Sequence, residues 1–445
     1  MLKTWSDEWK RTNPDIVVYL PREENSFDAV NQHFLVKKSP TGAWLAFWTR
    51  GADEGEPNQS IVVSRSTNRG ITWSEPTIID GPPAAHDSNF KAPDRREGKW
   101  KTAGVSDEED KRHAGIASWG FPIIAEKLGR IYCFYQKNEG VAEYRYDLCG
   151  VLRGRYSEDD GCTWSKETFD LPIRRTFIDN LNPDIPINWI VWQIPYITSH
   201  GEVIAPFTRW PSHKAPKPNG AECWFLRFDN ILTEQDISKL SITTLPEGER
   251  GLRVPSYGNP SNSFAEEPAI VELSDGRFFC VMRTAIGYIA YSISEDRGHT
   301  WSTPAPLYRD SDSELMLNPV VPCPIYKLKD GRYILLYYKN KGDANGGHFP
   351  CGYSCWRTNR YPAFISVGHE DLKKPCPVRF SPAKMLLDTQ GKGLGPGGRT
   401  DAGTYPSLLE DGNDRILFYP DRKHFLLGKR LTDEWLAVNN ITKSK

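Results

Sequence analysis

The sequence predicts an all-β fold built by radial repetition, a six-bladed β-propeller with seven blades as its nearest variant. Three observations carry this expectation. One short phrase, SxDxGxTW, recurs as STNRGITW at 66–73, SEDDGCTW at 157–164 and SEDRGHTW at 294–301. A hairpin-like unit recurs six times between residues 33 and 420. The 445-residue chain is 12% aromatic, holds 34 prolines and shows no long amphipathic helical pattern, which favours a closed β architecture. Recurrence at this scale is the signature of a repeat fold, in which each unit buries its faces against its neighbours.

The repeated phrase has the chemistry of a tight turn between two strands. Asn68, Asp159 and Asp296 can accept hydrogen bonds from the backbone of their own turn, and Gly70, Gly161 and Gly298 tolerate positive φ. Thr and Trp then return the chain to a strand, where the indole supplies apolar packing area. These boxes are therefore expected to be scaffold with no catalytic role.

The longer units follow in order. Each pairs an apolar run, a polar turn with glycine and a second apolar run: 33–50, 121–136, 194–209, 267–283, 323–339 and 405–420. With no low-complexity linker between them, residues 1–445 are expected to form one domain. A propeller leaves only short, protected strand edges, and the strand near 16–19 is expected to complete the last blade and close the ring.

Global features exclude several function classes. A formal charge of -1 without a basic block gives no footprint for nucleic acid. No apolar run approaches the ~20 residues that span a bilayer. The first residues lack the apolar core of a secretory signal, so a cytoplasmic protein is expected, with an exported mature form as the alternative. Nine cysteines, among them Cys133, Cys280 and Cys323 inside expected strands, fit reduced thiols. His348, Cys351, Cys355 and His369 lack zinc-ribbon spacing, so neither metal nor other cofactor is expected. Oligomeric state is left open.

With Asp boxes and inner hairpins of the type GluProAlaIleValGluLeuSerAspGlyArg…MetArg, the chain resembles the sialidase (neuraminidase) superfamily over roughly residues 30–430. The resemblance implies a six-bladed propeller with its site where inner strands begin near the axis. It also implies an exo-acting glycosidase acting on a terminal, acidic sugar of an oligosaccharide or glycoconjugate. Fold alone does not decide the reaction, because one scaffold carries many activities.

Counting back from the turn glycines, the start of each inner hairpin holds His33, Phe121, Ile194, Glu267, Cys323 and Tyr405. The resemblance implies that Tyr405 is the nucleophile and Glu267 its base, an exception to the usual carboxylate pair. The chemistry is self-consistent, because a phenol of ordinary pKa about 10 attacks only if a neighbour takes its proton. Arg50, Arg209 and Arg283 recur at the ends of second strands, where guanidinium groups can grip a carboxylate. Arg283 matches one member of the family's arginine triad. Where the family has an Arg in the first blade, this chain has ValAsnGlnHisPhe, so His33 or Gln32 takes that place, and Arg399 lies in a glycine-rich loop before Tyr405.

Further candidates complete the expected site. Glu266 adjoins Glu267, and Trp119 and Trp192 (with Trp189 nearby) precede inner strands where a sugar face can stack. Asp87 and Asp94 lie in a charged insertion flanked by His86 and His113 and are candidates for the acid/base, with Asp87 preferred. His33 opens a second mechanism, β-elimination of a uronic-acid glycoside by a His/Tyr pair with Arg neutralising the carboxylate. A non-catalytic glycan-binding propeller is the third reading.

Overall fold

The computed structural model describes residues 5–91, 111–143, 145–215, 220–310, 314–350 and 356–437. Six sheets succeed one another along the chain, and each is a blade. Blade 1 comprises Val30–Lys38, Trp44–Gly51, Ser60–Ser66 and Thr77–Asp80. Blade 2 comprises Ala117–Ala125, Arg130–Lys137, Val151–Ser157 and Phe169–Leu171. In blade 3 the inner edge is broken into Asn188–Val191 and Tyr196–Ile197, both paired with Val203–Trp210, and Gly220–Phe228 and Ile242–Leu245 follow. Blade 4 comprises Glu266–Glu272, Phe278–Arg283, Ala290–Ser294 and Ala305–Pro306. Blade 5 comprises Ile325–Lys327, Tyr333–Tyr337 and Ala363–Glu370, with Val378–Phe380 and Lys384–Leu387 both on its outer edge.

Blade 6 closes the ring. Ser407–Asp411, Asp414–Asp421 and Phe425–Arg430 receive Ile16–Tyr19 as a fourth, antiparallel strand, with Ile16 opposite Gly428. The expectation for residues 16–19 is met, and six blades rather than seven are present among the described residues. Hydrogen bonds join successive blades: Trp119 N to Thr49 Oγ1 at 2.9 Å, Trp189 N to Leu148 O at 2.8 Å, and Glu267 N to Thr208 Oγ1 at 2.6 Å. Lys327 Nζ donates to Glu272 O, the Tyr326 hydroxyl to Pro406 O, and Phe34 N to Tyr405 O, completing the circuit. Between blades lie apolar clusters, such as Leu45, Phe47, Ile61, Ile131 and Cys133 between blades 1 and 2.

The three boxes do what their residues suggest. Thr163 N and Oγ1 donate to Asp159 at 2.8 and 2.6 Å, Gly161 N donates to Ser157 Oγ at 2.9 Å, and the same bonds recur around Asp296 and Ser294. Asn68 serves equally well, accepting from Thr72 N at 2.9 Å. The glycines sit at φ +83°, +81° and +92°, where a Cβ is strained. Each Trp packs on the preceding blade: Trp73 against Phe418, Trp164 against Phe47 and Trp301 stacked on Phe225 at 4.4 Å. Strand direction puts these turns, after the third strand of a blade, on the face opposite the starts of the inner strands.

No helix among the described residues is long and apolar enough to cross a membrane.

Candidate active site

Near the start of four inner strands one residue lies in the left-handed region: His33 at φ 58°, Trp119 at 55°, Glu267 at 47° and Tyr405 at 66°. In blades 1, 2 and 4 the pairing slips at this point, between Gln32 and Leu35, Ser118 and Phe121, and Glu266 and Ala269. His33, Trp119 and Glu267 therefore stand in β-bulges, a device that re-aims one side chain, here toward the propeller axis, while Tyr405 stands just ahead of its strand. Holding a non-glycine residue there costs of order 1–3 kcal/mol, which is tolerated where surroundings over-determine the backbone.

The bulges meet at the centre. The Tyr405 hydroxyl donates to Glu267 Oε1 at 2.6 Å, and Arg283 Nη1 donates to the same oxygen at 2.7 Å. Glu266 accepts from Trp210 Nε1 at 2.8 Å and lies 3.6 Å from Arg283 Nε. Trp119 and Trp192 set their rings edge-on to Tyr405, with centroids 5.3 and 6.0 Å away, and His33 tilts against Trp119 at 5.4 Å. Burial, and then the Glu267 charge, push the Tyr405 phenol well above its ordinary value, while Arg283 and Arg360 pull the other way. The resting nucleophile candidate is a protonated phenol with its proton aimed at a carboxylate. His33 is fully buried, and burial lowers its pKa to about 3 while the backbone of Trp192 pulls the other way. It is a neutral imidazole.

Charged loops surround this centre. They come from the connections between second and third strands and from those entering a new inner strand, which strand direction brings to the same face. Glu54 contacts Lys423, and its Oε2 lies 3.5 Å from both Arg145 Nη2 and Arg399 Nη2. Arg399 Nη2 also reaches Asp53 at 3.0 Å, Arg145 reaches Asp147 at 2.6 Å, and Arg360 reaches Asp401 at 3.0 Å. Lys423 Nζ lies 4.8 Å from the centre of the Tyr405 ring and donates to Gln32 Oε1 at 3.0 Å.

Tyr405, Glu267, Glu266, Arg283, His33, Trp119 and Trp192 are thus brought together, with Gln32 and Arg399 in the adjoining ionic ring. Two slots need correction. In blade 2 the bulge is Trp119, not Phe121, because the inner arm from the bulge to the last pair of the hairpin, 119–125, is longer than its counterpart 267–272 in blade 4. In blade 3 the inner strand breaks after Val191, and Trp192 rather than Ile194 faces Tyr405.

Arg50 and Arg209 are not brought to Tyr405. Arg283 lies opposite Glu266, the residue before its bulge, whereas Thr49 holds that place opposite Gln32 and Arg50 is one residue further. A shift of one residue turns a side chain to the other face of its sheet. Arg209 accordingly binds Asp179 through Nε at 3.0 Å, and Arg50 lies over Phe27 at 5.3 Å. Asp87 is exposed on the connection leaving blade 1, where its Oδ1 accepts from Asn89 N at 2.9 Å. Asp94, Cys351 and Cys355 lie outside the described residues. Arg145, Arg360, Lys423, Glu54, Asp53 and Asp401 were missed by sequence reasoning, since they stand in loops with no period or motif to mark them.

Comparison with known proteins agrees with this architecture. The family model of the BNR repeat-like domain matches residues 85–414. Among solved structures, a Hadza microbial sialidase is 15% identical with TM-score 0.55, over 91% of this chain and 66% of its own. A sialidase of Streptococcus pneumoniae is 14% identical with TM-score 0.56, over 96% of this chain and 71% of its own. The intramolecular trans-sialidase of Ruminococcus gnavus is 14% identical with TM-score 0.54, over 98% of this chain and all of its own. The chain spans just under two thirds of the first of these. No curated protein matches it.

Proposed function

Since the chain belongs to the BNR repeat-like domain family, on a sialidase-like propeller, we propose that it is an exo-acting glycosidase that removes a terminal sugar from a glycan, with Tyr405 as nucleophile and Glu267 as its base. The observation that carries this reading is the 2.6 Å hydrogen bond from the buried Tyr405 hydroxyl to Glu267, with Arg283 on the same carboxylate oxygen. Tyr405 Oη attacks the anomeric carbon as its proton passes to Glu267. The glycosidic bond breaks, and the leaving oxygen takes a proton from a general acid, for which we propose Asp87 of the exposed connection leaving blade 1. Water then attacks the anomeric carbon of the glycosyl–tyrosine, passing its proton to the acid's conjugate base, while the phenolate recovers its proton from Glu267. Two displacements retain the anomeric configuration. Trp119 and Trp192 shape the apolar wall against which the sugar ring lies.

The elimination alternative asks His33 to act as base. Its pKa of about 3 makes it a weak one, and it has no hydrogen bond to Tyr405 among the described residues, so hydrolysis is the better supported reading.

The test is a panel of 4-methylumbelliferyl glycosides and matching oligosaccharides, followed for released fluorophore, reducing sugar and the ultraviolet absorbance of an unsaturated uronate. Release without absorbance, with a retained product anomer by proton NMR, is expected. Glu267→Gln should cost roughly 10²–10⁴-fold in kcat/KM. Full activity in Tyr405→Phe sinks the nucleophile assignment, absorbance favours elimination, and no turnover on the panel favours a binding protein.

A further inference from the structure

The ionic ring beside Tyr405 contains a carboxylate that the chain supplies to itself. Glu54, on the connection between the second and third strands of blade 1, is held by Arg145 from blade 2, Arg399 from the segment entering blade 6 and Lys423 from blade 6's own turn. Three cations converging on one nearly buried carboxylate form the cradle that an acidic sugar would need, and Lys423 ties that cradle to the nucleophile's ring. The other cations near Tyr405 also meet carboxylates: Arg283 meets Glu267 and Glu266, and Arg360 meets Asp401. Arg399 and Arg145 have second carboxylates in Asp53 and Asp147. A further carboxylate entering here must displace Glu54 or lie against it, and two like charges at that separation in a buried site are strongly disfavoured. The three cations hold Glu54 well below the usual carboxylate range, against a large cost of burial, so the cradle is filled by a charged group at any ordinary pH.

Resting on the glycosidase reading above, we propose that Glu54 is a specificity-determining residue: it fills, from within the chain, the cationic cradle of Arg145, Arg399 and Lys423 beside Tyr405, so the terminal sugar admitted is an uncharged one. This turns the acidic sugar expected from the family resemblance into the disfavoured substrate. Neutral His33, standing where the family carries an arginine, fits the same choice.

The experiment compares matched 4-methylumbelliferyl glycosides in both anomers, glucoside with glucuronide and galactoside with galacturonide, together with the α-N-acetylneuraminide. The protein with its natural residue should favour the neutral member of each pair by more than about tenfold in kcat/KM. Glu54→Gln should move that ratio toward the acidic member by about tenfold or more, and Glu54→Asp, which keeps the charge, should restore the original preference. A preference for the carboxylate-bearing sugar in the unsubstituted protein overturns the proposal, as does a ratio unmoved by Glu54→Gln. If Glu54→Gln does not fold, the preference of the unsubstituted protein decides. If no glycoside is cleaved, the glycosidase reading fails separately, and Glu54 is then read by thermal unfolding with D-glucuronate or D-glucose. Stabilisation by glucuronate gained in Glu54→Gln and lacking in the unsubstituted protein supports the cradle, and an equal response or none overturns it.

Discussion

At the scale of single residues, the site rests on backbone conformation before it rests on chemistry. His33, Trp119, Glu267 and Tyr405 share a left-handed backbone conformation although their side chains have little in common, so the strand start sets the aim and the residue sets the chemistry. Tyr405, Glu267 and Arg283 were legible in the sequence because blade 4 turns as blade 1 does, with Glu272 opposite Phe278 as Lys38 is opposite Trp44, and the resemblance marks Tyr405. Trp119 was found as an aromatic before a strand but not as the axial slot, because the inner arm of blade 2 is longer than that of blade 4. Glu54 and Lys423 were invisible, since a loop residue acquires its neighbours only when the ring closes. His33 makes a pH prediction. Its folded pKa of about 3 lies below the ordinary 6.5, so the unfolded chain binds the proton first. Its contribution is complete above about pH 6.5 and is lost as pH falls toward 3. Denaturant titrations across that window should show a shallower loss of stability in His33→Phe than in the unsubstituted protein.

At the scale of elements, the boxes and the bulges divide the work between the two faces of each blade. The box turns hold neighbouring blades together through Trp73, Trp164 and Trp301, far from the strand starts that carry the site. Trp301→Ala removes a stacked, half-buried indole and should cost about 2 kcal/mol, somewhat less than a fully buried Trp. Urea unfolding should show that loss while kcat on a cleaved glycoside stays unchanged; a fall in kcat without a fall in stability would contradict the scaffold role. Asn68→Asp should be nearly neutral in the same assay, because Asn68 already accepts the backbone bond that Asp159 and Asp296 accept in their boxes. This level was the most legible in the sequence. Turn chemistry and strand period are local, whereas the broken inner strand of blade 3 carries no local mark beyond Pro195.

At the scale of the whole molecule, the ring is fastened by the meeting of distant chain segments. Ile16–Tyr19 completes blade 6, and just before it the 3₁₀ turn Trp5–Thr12 places Glu8 against Arg422, with Nη1 to Oε2 at 3.0 Å. Arg422 also binds Asp421, its neighbour in the turn that carries Lys423. Hydrogen bonding from Arg11, aided by Arg422, lowers the Glu8 pKa to about 2 from 4.5. That clasp is complete above about pH 4.5 and weakens as pH falls toward 2. Deleting the chain through Tyr19 should leave the edge of Phe425–Arg430 open, which limited proteolysis would detect as new cleavage in blade 6 together with loss of a single cooperative transition.

The pairing of Ile16 with Gly428 also has a consequence for biosynthesis. A ribosome adding ~5–20 residues per second needs roughly 20–80 s to travel from one partner to the other. Throughout that interval blade 1 waits without blade 6 beside it, and the strand Ile16–Tyr19 stands unpaired and open to other nascent chains. Tyr405 reaches Glu267 only near the end of the same interval. The site is therefore assembled only when the last blade arrives.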